Sequence, residues 1–336
     1  MTDRRRTPAT EFRADTEGAG VEMAYAGHNT FLKGDPQDVD DLAADVGVLG
    51  APYDGALSNR PGARYGPEAL RRASAWWAYL SNYKGGLTNV NTGAQVDFSD
   101  FSVADCGDVP VFPMDRERTA ASIEAHVATV AERAFPVLLG GDHYCTYPAV
   151  RGFAEGAGHD TVGLVQIDAH SDTVTESPVF GQHYHGSSTR LVAESPWCDY
   201  DHVSQVGIRG YEGPNFAEFV AESGIDCYTM RDVHERGIED VITDAVEAAA
   251  ADADAVYVTF DIDAVDPGVA PGTGTPEPDG LSAHQALRTM EVLGTHDAVG
   301  AADLMEVSPT HDPTEVTGIL GAFLLVTLLE RQFAEG

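Results

Sequence analysis

The sequence predicts an α/β domain in which helices cover both faces of a mainly parallel sheet. Two observations predict it. Short runs that are apolar at nearly every position recur along the chain, separated by segments with helical spacing. Acidic and imidazole side chains then cluster directly after those runs, at the strand ends where open α/β sheets bind ligands.

The first forty residues are polar and rich in Gly and Asp, and are expected to form an irregular arm with little core. Residues 41–336 read as one domain, because no internal repeat or Pro/Gly/Ser-rich linker divides them. Val46–Leu49 is the first strand candidate, followed by a helix over Pro67–Leu80 that opens on Pro67-Glu68. A helical pattern over Thr119–Ala134 leads into the strand Val137–Leu139. Val162–Ile167 and Val203–Ile208 follow as strands, then Asn215–Ser223 and Ile238–Ala251 as helices. The strand Ala255–Phe260 precedes a helix over Ser282–Leu293, for which Ser282 is the cap. Val299–Met305 is the last strand, and Thr314–Arg331 a buried C-terminal helix. The longest apolar run, Val316–Leu329, falls short of the ~18–20 residues of a membrane span. Cys106, Cys145, Cys198 and Cys227 show no paired spacing, which fits free thiols in a reducing cytoplasm. No apolar stretch follows Arg4, Arg5 and Arg6, so a secretory signal is not expected.

Charge narrows the function classes. The 336 residues carry 54 acidic against 20 basic side chains, a net charge of −34, and Lys33 and Lys84 are the only lysines. Such a surface repels nucleic-acid backbones and anionic lipid. Disorder is excluded by a hydrophobic content of 43%. A folded, acidic, lysine-poor chain points to a salt-rich cytoplasm. Self-repulsion should then destabilise the fold in dilute buffer, and the melting temperature should climb between ~0.1 M and ~2 M KCl. An unchanged melting temperature would remove the halophilic reading.

The polar clusters carry the chemistry. Gly140-Gly141-Asp142-His143 follows the Val137–Leu139 run, and Asp168-Ala169-His170-Ser171-Asp172 follows Val162–Ile167. Asp261-Ile262-Asp263-Ala264-Val265-Asp266-Pro267 follows Ala255–Phe260, and Glu306 follows the last strand. In extended chain alternate residues point the same way, so Asp168, His170 and Asp172 share one outlook and Asp261 and Asp263 form a matching pair. With His143 this makes four carboxylates and two imidazoles, which like-charge repulsion would drive apart unless cations hold them. The set is too large for one ion and suits two, if two carboxylates bridge. Oxygen-dominated ligation with one nitrogen per ion favours Mn²⁺, and Ni²⁺ accepts the same donors.

These motifs resemble those of the ureohydrolases, the family that includes arginase, agmatinase and guanidino-acid hydrolases. The resemblance runs from about Ala26 to Arg331 and extends to Ser58-Asn59-Arg60-Pro61-Gly62, Ala270-Pro271-Gly272-Thr273-Gly274 and Glu306-Val307-Ser308-Pro309. It implies a three-layer α/β/α, arginase-like fold, a homotrimer or homohexamer, and two Mn²⁺ per subunit. One ion would be held by His143, Asp168, Asp172 and Asp261, the other by His170, Asp168, Asp261 and Asp263. Hydroxide generated there would attack the guanidinium carbon, with Asp172 orienting it. Glu306 would accept the guanidinium's hydrogen bonds and His185 would protonate the leaving amine. His183 serves equally by chemistry alone, but the family reads His-Gly, as in His185-Gly186. Asp266 is expected to cap a loop and Cys145 to be core. Trp76 and Trp77 should pack internally or between subunits. Tyr144 departs from the small or apolar residue frequent after the motif histidine.

The resemblance also implies a small cationic guanidino substrate. Arginases place an Asn two residues past the motif aspartate to bind an α-carboxylate, whereas here that position is Val174. Phe180-Gly181 and the 270–274 run look like the agmatinase branch, which points to agmatine. Arg190 could meet a carboxylate and Phe180 could shorten the pocket, which keeps 4-guanidinobutyrate and guanidine open. A one-zinc deacetylase on a related fold usually places a His-His pair beside its metal, and this chain has none. A member that only binds ligands would have lost function while keeping every one of these residues.

Overall fold

A computed structural model describes residues 23–334 apart from 91, 92, 94 and 99. The strands are β1 (Asp35–Pro36), β2 (Val46–Gly50), β3 (Leu87–Thr88), β4 (Gln95–Val96), β5 (Val103–Asp108), β6 (Phe135–Leu139), β7 (Val162–Ile167), β8 (Val203–Ile208), β9 (Asp226–Thr229), β10 (Ala255–Asp261) and β11 (Val299–Met305). The α-helices are α1 (Gly66–Lys84), α2 (Arg116–Ala131), α3 (Thr146–Ala157), α4 (Ser188–Ala193), α5 (Phe216–Ser223), α6 (Met230–Arg236), α7 (Ile238–Ala250), α8 (Ala283–Leu293) and α9 (Val316–Phe333). Nine strands form one parallel sheet in the order β1-β5-β2-β6-β11-β10-β7-β8-β9, and β3 and β4 pair separately as an antiparallel ribbon.

The strands are apolar at successive positions because each face of the sheet has its own core. In β10, Val256, Val258 and Phe260 join one core, while Ala255 and Tyr257 join the other. The first core is closed by α1, α7, α8 and α9, which contribute Leu70, Ile242, Met290 and Leu325. The second is closed by α2, α3 and α4, through Ile123, Val150 and Val192. The result is the three-layer α/β/α arrangement. Helix α9 spans 18 residues at a mean hydropathy of 1.4, which by length and composition alone suffices to cross a membrane. It lies in the first core, with 61% of that stretch buried.

One expectation needs correction, and one helix lies outside the expected set. The arm was expected to contribute little core, yet Phe31 is 0% exposed and Leu32 is also buried, and Asp35–Pro36 adds an edge strand beside β5. The part of the arm before residue 23, including Arg4 to Arg6, lies outside the described residues. Helix α3 lacks a sequence signal because Pro148, Gly152 and Gly156 interrupt it. Pro148 sits in the first turn, where its missing N–H costs nothing. Gly152 is needed for contact, since a Cβ there would come within 2.3 Å of the Glu124 carbonyl oxygen on α2.

Candidate active site

The four central strands β6, β11, β10 and β7 end side by side and bring the sequence-predicted site residues into one cleft. His143 follows β6 after a tight turn through Gly140 and Gly141. A Cβ on Gly141 would lie 1.8 Å from the Tyr53 carbonyl oxygen, so only glycine lets the strand end pass under that loop. His143 is buried, and its Nε2 lies 2.9 Å from Thr259 Oγ1. The Thr259 hydroxyl donates to Asp303 Oδ1 at 2.6 Å, and the Thr146 hydroxyl donates to Asp303 Oδ2 at 2.8 Å. This network assigns the ring hydrogen to Nε2 and leaves a lone pair on Nδ1.

That Nδ1 is buried without a hydrogen-bond partner. It faces Asp168 Oδ2 at 2.9 Å, Asp172 Oδ2 at 3.2 Å and Asp261 Oδ2 at 3.2 Å. A lone pair and three carboxylate oxygens converging on one point repel each other unless a cation sits among them. A second group is formed by Asp168, His170 and Asp263, with His170 Nδ1 3.2 Å from Asp263 Oδ2 and 3.7 Å from Asp168 Oδ1. Each group has donors that could hold a divalent cation, and Asp168 is common to both.

The spacing argument reaches these residues by a route the backbone does not follow. β7 ends at Ile167, and Asp168 to Asp172 form a loop in which Asp172 adopts a left-handed φ of +50°. Asp168 and Asp172 consequently face His143, while His170 turns toward Asp263. Asp261 is the last residue of β10, and Asp263 lies in a one-turn 3₁₀ helix. The Asp263 N–H donates to Asp261 Oδ1 at 2.8 Å.

Crowding shows in the ionisation of the ligands. Burial and the charge of Asp168 push the Asp172 carboxyl up. Burial, followed by the charges of Asp263 and Asp168, pushes the Asp261 carboxyl up. Burial opposes the charged form of Asp168 too, but the neighbouring His143 and His170 imidazoles outweigh it and hold this carboxyl below the usual range. Burial likewise opposes protonation of His170, yet Asp263 and Asp168 carry it up to about 12. A cation among these oxygens would oppose the upward shifts of Asp172 and Asp261.

Beside this cluster, Glu306 directly follows β11 in a left-handed conformation at φ +61°, a strained geometry typical of functional positions. Its Oε1 accepts the His143 main-chain N–H at 3.1 Å and lies 3.1 Å from His185 Nδ1. Its Oε2 is buried and has no partner. On the other side of the ring, His185 Nε2 accepts the Ser58 N–H at 3.1 Å and lies 2.7 Å from Ser58 Oγ. Burial alone would lower the pKa of His185, but Glu306, Asp172 and Asp142 outweigh it and push it up to about 9. His183 points elsewhere, its ring against those of Tyr144 and Tyr147.

A cavity of about 190 Å³ opens over these groups and is lined by Ser58, His170, Asp172, Val174, Tyr184 and Glu212 among others, with no lysine or arginine among the described residues. Arg190 is not available to it. The guanidinium is buried and engaged with the Val174 and Gln182 carbonyls and with Glu194, so it ties down the loop from behind. Phe180 stacks on Tyr184, with ring centroids 5.4 Å apart. Asp266 caps its loop, accepting the N–H groups of Gly268 and Asp279, and Cys145 is fully buried. Trp77 stacks on Phe323, whereas Trp76 is half exposed. Sequence reading placed Ser58 in a shared stretch without giving it a role, and missed Thr259, Asp303 and Glu212. Asp303 did carry a signal, as a lone acid inside an apolar strand.

The Arginase family model matches residues 44–330. A guanidinopropionase from Pseudomonas aeruginosa is 36% identical, with 91% of this chain and 92% of that protein covered. An agmatinase from Chromobacterium violaceum is 35% identical, covering 93% of this chain and 91% of its own. Among solved structures, a proclavaminate amidino hydrolase from Streptomyces clavuligerus superposes with a TM-score of 0.79 at 31% identity, over 93% of this chain and 99% of the other.

Proposed function

The chain belongs to the arginase family, and on that premise we propose that it is a metal-dependent ureohydrolase releasing urea from a guanidino compound with a cationic tail, agmatine being the type. The observation that carries the metal-dependent part is the buried, unpartnered His143 Nδ1 aimed at three carboxylates. Two divalent cations, Mn²⁺ or Ni²⁺ by donor type, would be held by His143, Asp168, Asp172 and Asp261 and by His170, Asp168, Asp261 and Asp263. When bound, they supply hydroxide at neutral pH by lowering the pKa of water.

The remaining work falls to the protein. Glu306 Oε2, buried and unpaired, takes hydrogen bonds from the guanidinium and holds its plane over the cleft. Asp172, anchored by the Ser188 hydroxyl at 3.0 Å, orients the attacking oxygen. His185 holds the proton that the leaving amine needs, and Glu306 keeps its ring in place.

Glu212 supports the choice of tail. It is an acid lining the cavity, its Oε1 accepts the Ser171 N–H at 2.8 Å, and no basic side chain lines the same space. A tail ammonium meets a carboxylate there, whereas a tail carboxylate meets no cation. Agmatine should therefore give the highest kcat/KM when urea release is compared for agmatine, arginine, 4-guanidinobutyrate, 3-guanidinopropionate and guanidine, in high salt with Mn²⁺ or Ni²⁺. Carboxylate-bearing substrates should lose about 1–3 kcal/mol, roughly five- to 150-fold. A higher kcat/KM for arginine or a guanidino acid would refute this choice. The reading extends to a homotrimer or homohexamer in a salt-rich cytoplasm. A half-exposed ladder of stacked rings, Trp76, Tyr79 and Tyr83 on α1, supports the subunit contact, and the charge of −34 supports the salt.

A further inference from the structure

Neither nitrogen of the His185 ring opens freely onto the cavity. Nδ1 faces Glu306 Oε1, and Nε2 faces the main-chain N–H and the hydroxyl of Ser58. A main-chain N–H can only donate, so Nε2 carries the lone pair in this arrangement and the ring hydrogen sits on Nδ1. The loop that brings Ser58 here is itself fixed. The Ala56 N–H donates to Asp142 Oδ2 at 2.7 Å, and the His185 N–H donates to the Ala56 carbonyl at 3.1 Å. Ser58 is exposed on its other side and lines the cavity. His185 lines the same cavity, and the Ser58 hydroxyl, 2.7 Å from Nε2, is the cavity-lining group next to that nitrogen.

Resting on the ureohydrolase reading, we propose that Ser58 relays the proton from His185 to the leaving nitrogen. In that step protonated His185 gives its Nε2 proton to Ser58 Oγ as the hydroxyl gives its own proton to the leaving nitrogen. The carbon–nitrogen bond breaks, and its electron pair stays with the nitrogen. Ser58 ends the step as a hydroxyl and His185 ends neutral, with its Nε2 lone pair facing the Ser58 N–H. The Ser58 main-chain N–H drives the transfer, because at 3.1 Å it repels a proton on Nε2 and welcomes a lone pair.

The test is urea release by the full-length, metal-loaded enzyme and its Ser58→Ala, Ser58→Thr, His185→Asn and Ser58→Ala/His185→Asn variants. Ser58→Ala should lower kcat by roughly ten- to a hundredfold, within the range of general acid catalysis, with KM nearly unchanged. Ser58→Thr, which keeps a hydroxyl, should recover most of the rate. The double variant should be no slower than His185→Asn alone, because both substitutions cut one path. A proton inventory in mixed H₂O and D₂O should bow for the wild type and become linear for Ser58→Ala. Wild-type kcat in Ser58→Ala, or multiplicative losses in the double variant, would overturn the relay and leave the ureohydrolase reading standing. A wild type that releases urea from no guanidino compound would overturn both.

Discussion

Asp261→Asn should strip the protein of both cations and abolish urea release, although the chain still folds. The fold survives because the asparagine side-chain oxygen can still cap the Asp263 N–H that Asp261 Oδ1 accepts at 2.8 Å. What is lost is the carboxylate charge 3.2 Å from His143 Nδ1, at the end of the strand in the middle of the site. Removing groups that merely support metal ligands lowers affinity about 10–100-fold, so loss of a bridging ligand should exceed that. Metal content should fall from about two per chain to none after dialysis, with an unchanged far-ultraviolet circular dichroism spectrum. His170→Ala should instead empty mainly one position, since His170 lies at the more open rim with its side chain 31% exposed. Full metal content with near-normal turnover in Asp261→Asn would end the two-cation account.

Glu306→Gln should leave both cations in place and still cost much of the activity. The carboxylate has two assignments that an amide cannot satisfy together. Oε1 accepts from the His143 N–H and the His185 Nδ1–H, and Oε2 waits without a partner for the guanidinium. Glutamine must aim its NH₂ either at two donors or at the substrate's own N–H groups. Truncating one side of a buried, hydrogen-bonded charge pair costs about 2–5 kcal/mol, which corresponds to roughly 30- to several-thousand-fold in kcat/KM. Equal kcat/KM for Glu306→Gln and the wild type would remove Glu306 from substrate binding.

Much of this was legible in the sequence, because the chemistry sits beside the strongest structural signals. Val162–Ile167 and Val203–Ile208 open and close on branched apolar residues, are buried at every position, and form strands with those bounds. The six proposed metal ligands follow such strands or close them, so reading the strands located the ligands. β5 was not legible, because Val103–Asp108 contains Asp, Cys and Gly and lies near the edge of the sheet. The buried role of Phe31 was hidden by its polar neighbours. Ser58 and Glu212 escaped for a different reason. Their roles depend on loops that meet His185 and Ser171 only after the chain has folded, and no local pattern encodes that contact. Arg190 shows the converse, since a basic residue near a pocket suggests an anion partner until its donors are found to be occupied.

The order of the sheet also governs when this protein becomes able to work. β6 and β7 are joined early in the chain but are not neighbours in the sheet, because β10 and β11, the last strands made, lie between them. Until residues from Ala255 onward have been synthesised, the sheet cannot close. β6 and β7 then present unpaired inner edges, the kind of surface that invites association with other chains. The late strands also supply Asp261, Asp263 and Glu306. On the proposed ligand set, cations could load only after those strands are made. Nascent chains must be shielded through most of their elongation, and insertion of the final pair of strands seals the sheet and completes the ion site in one act.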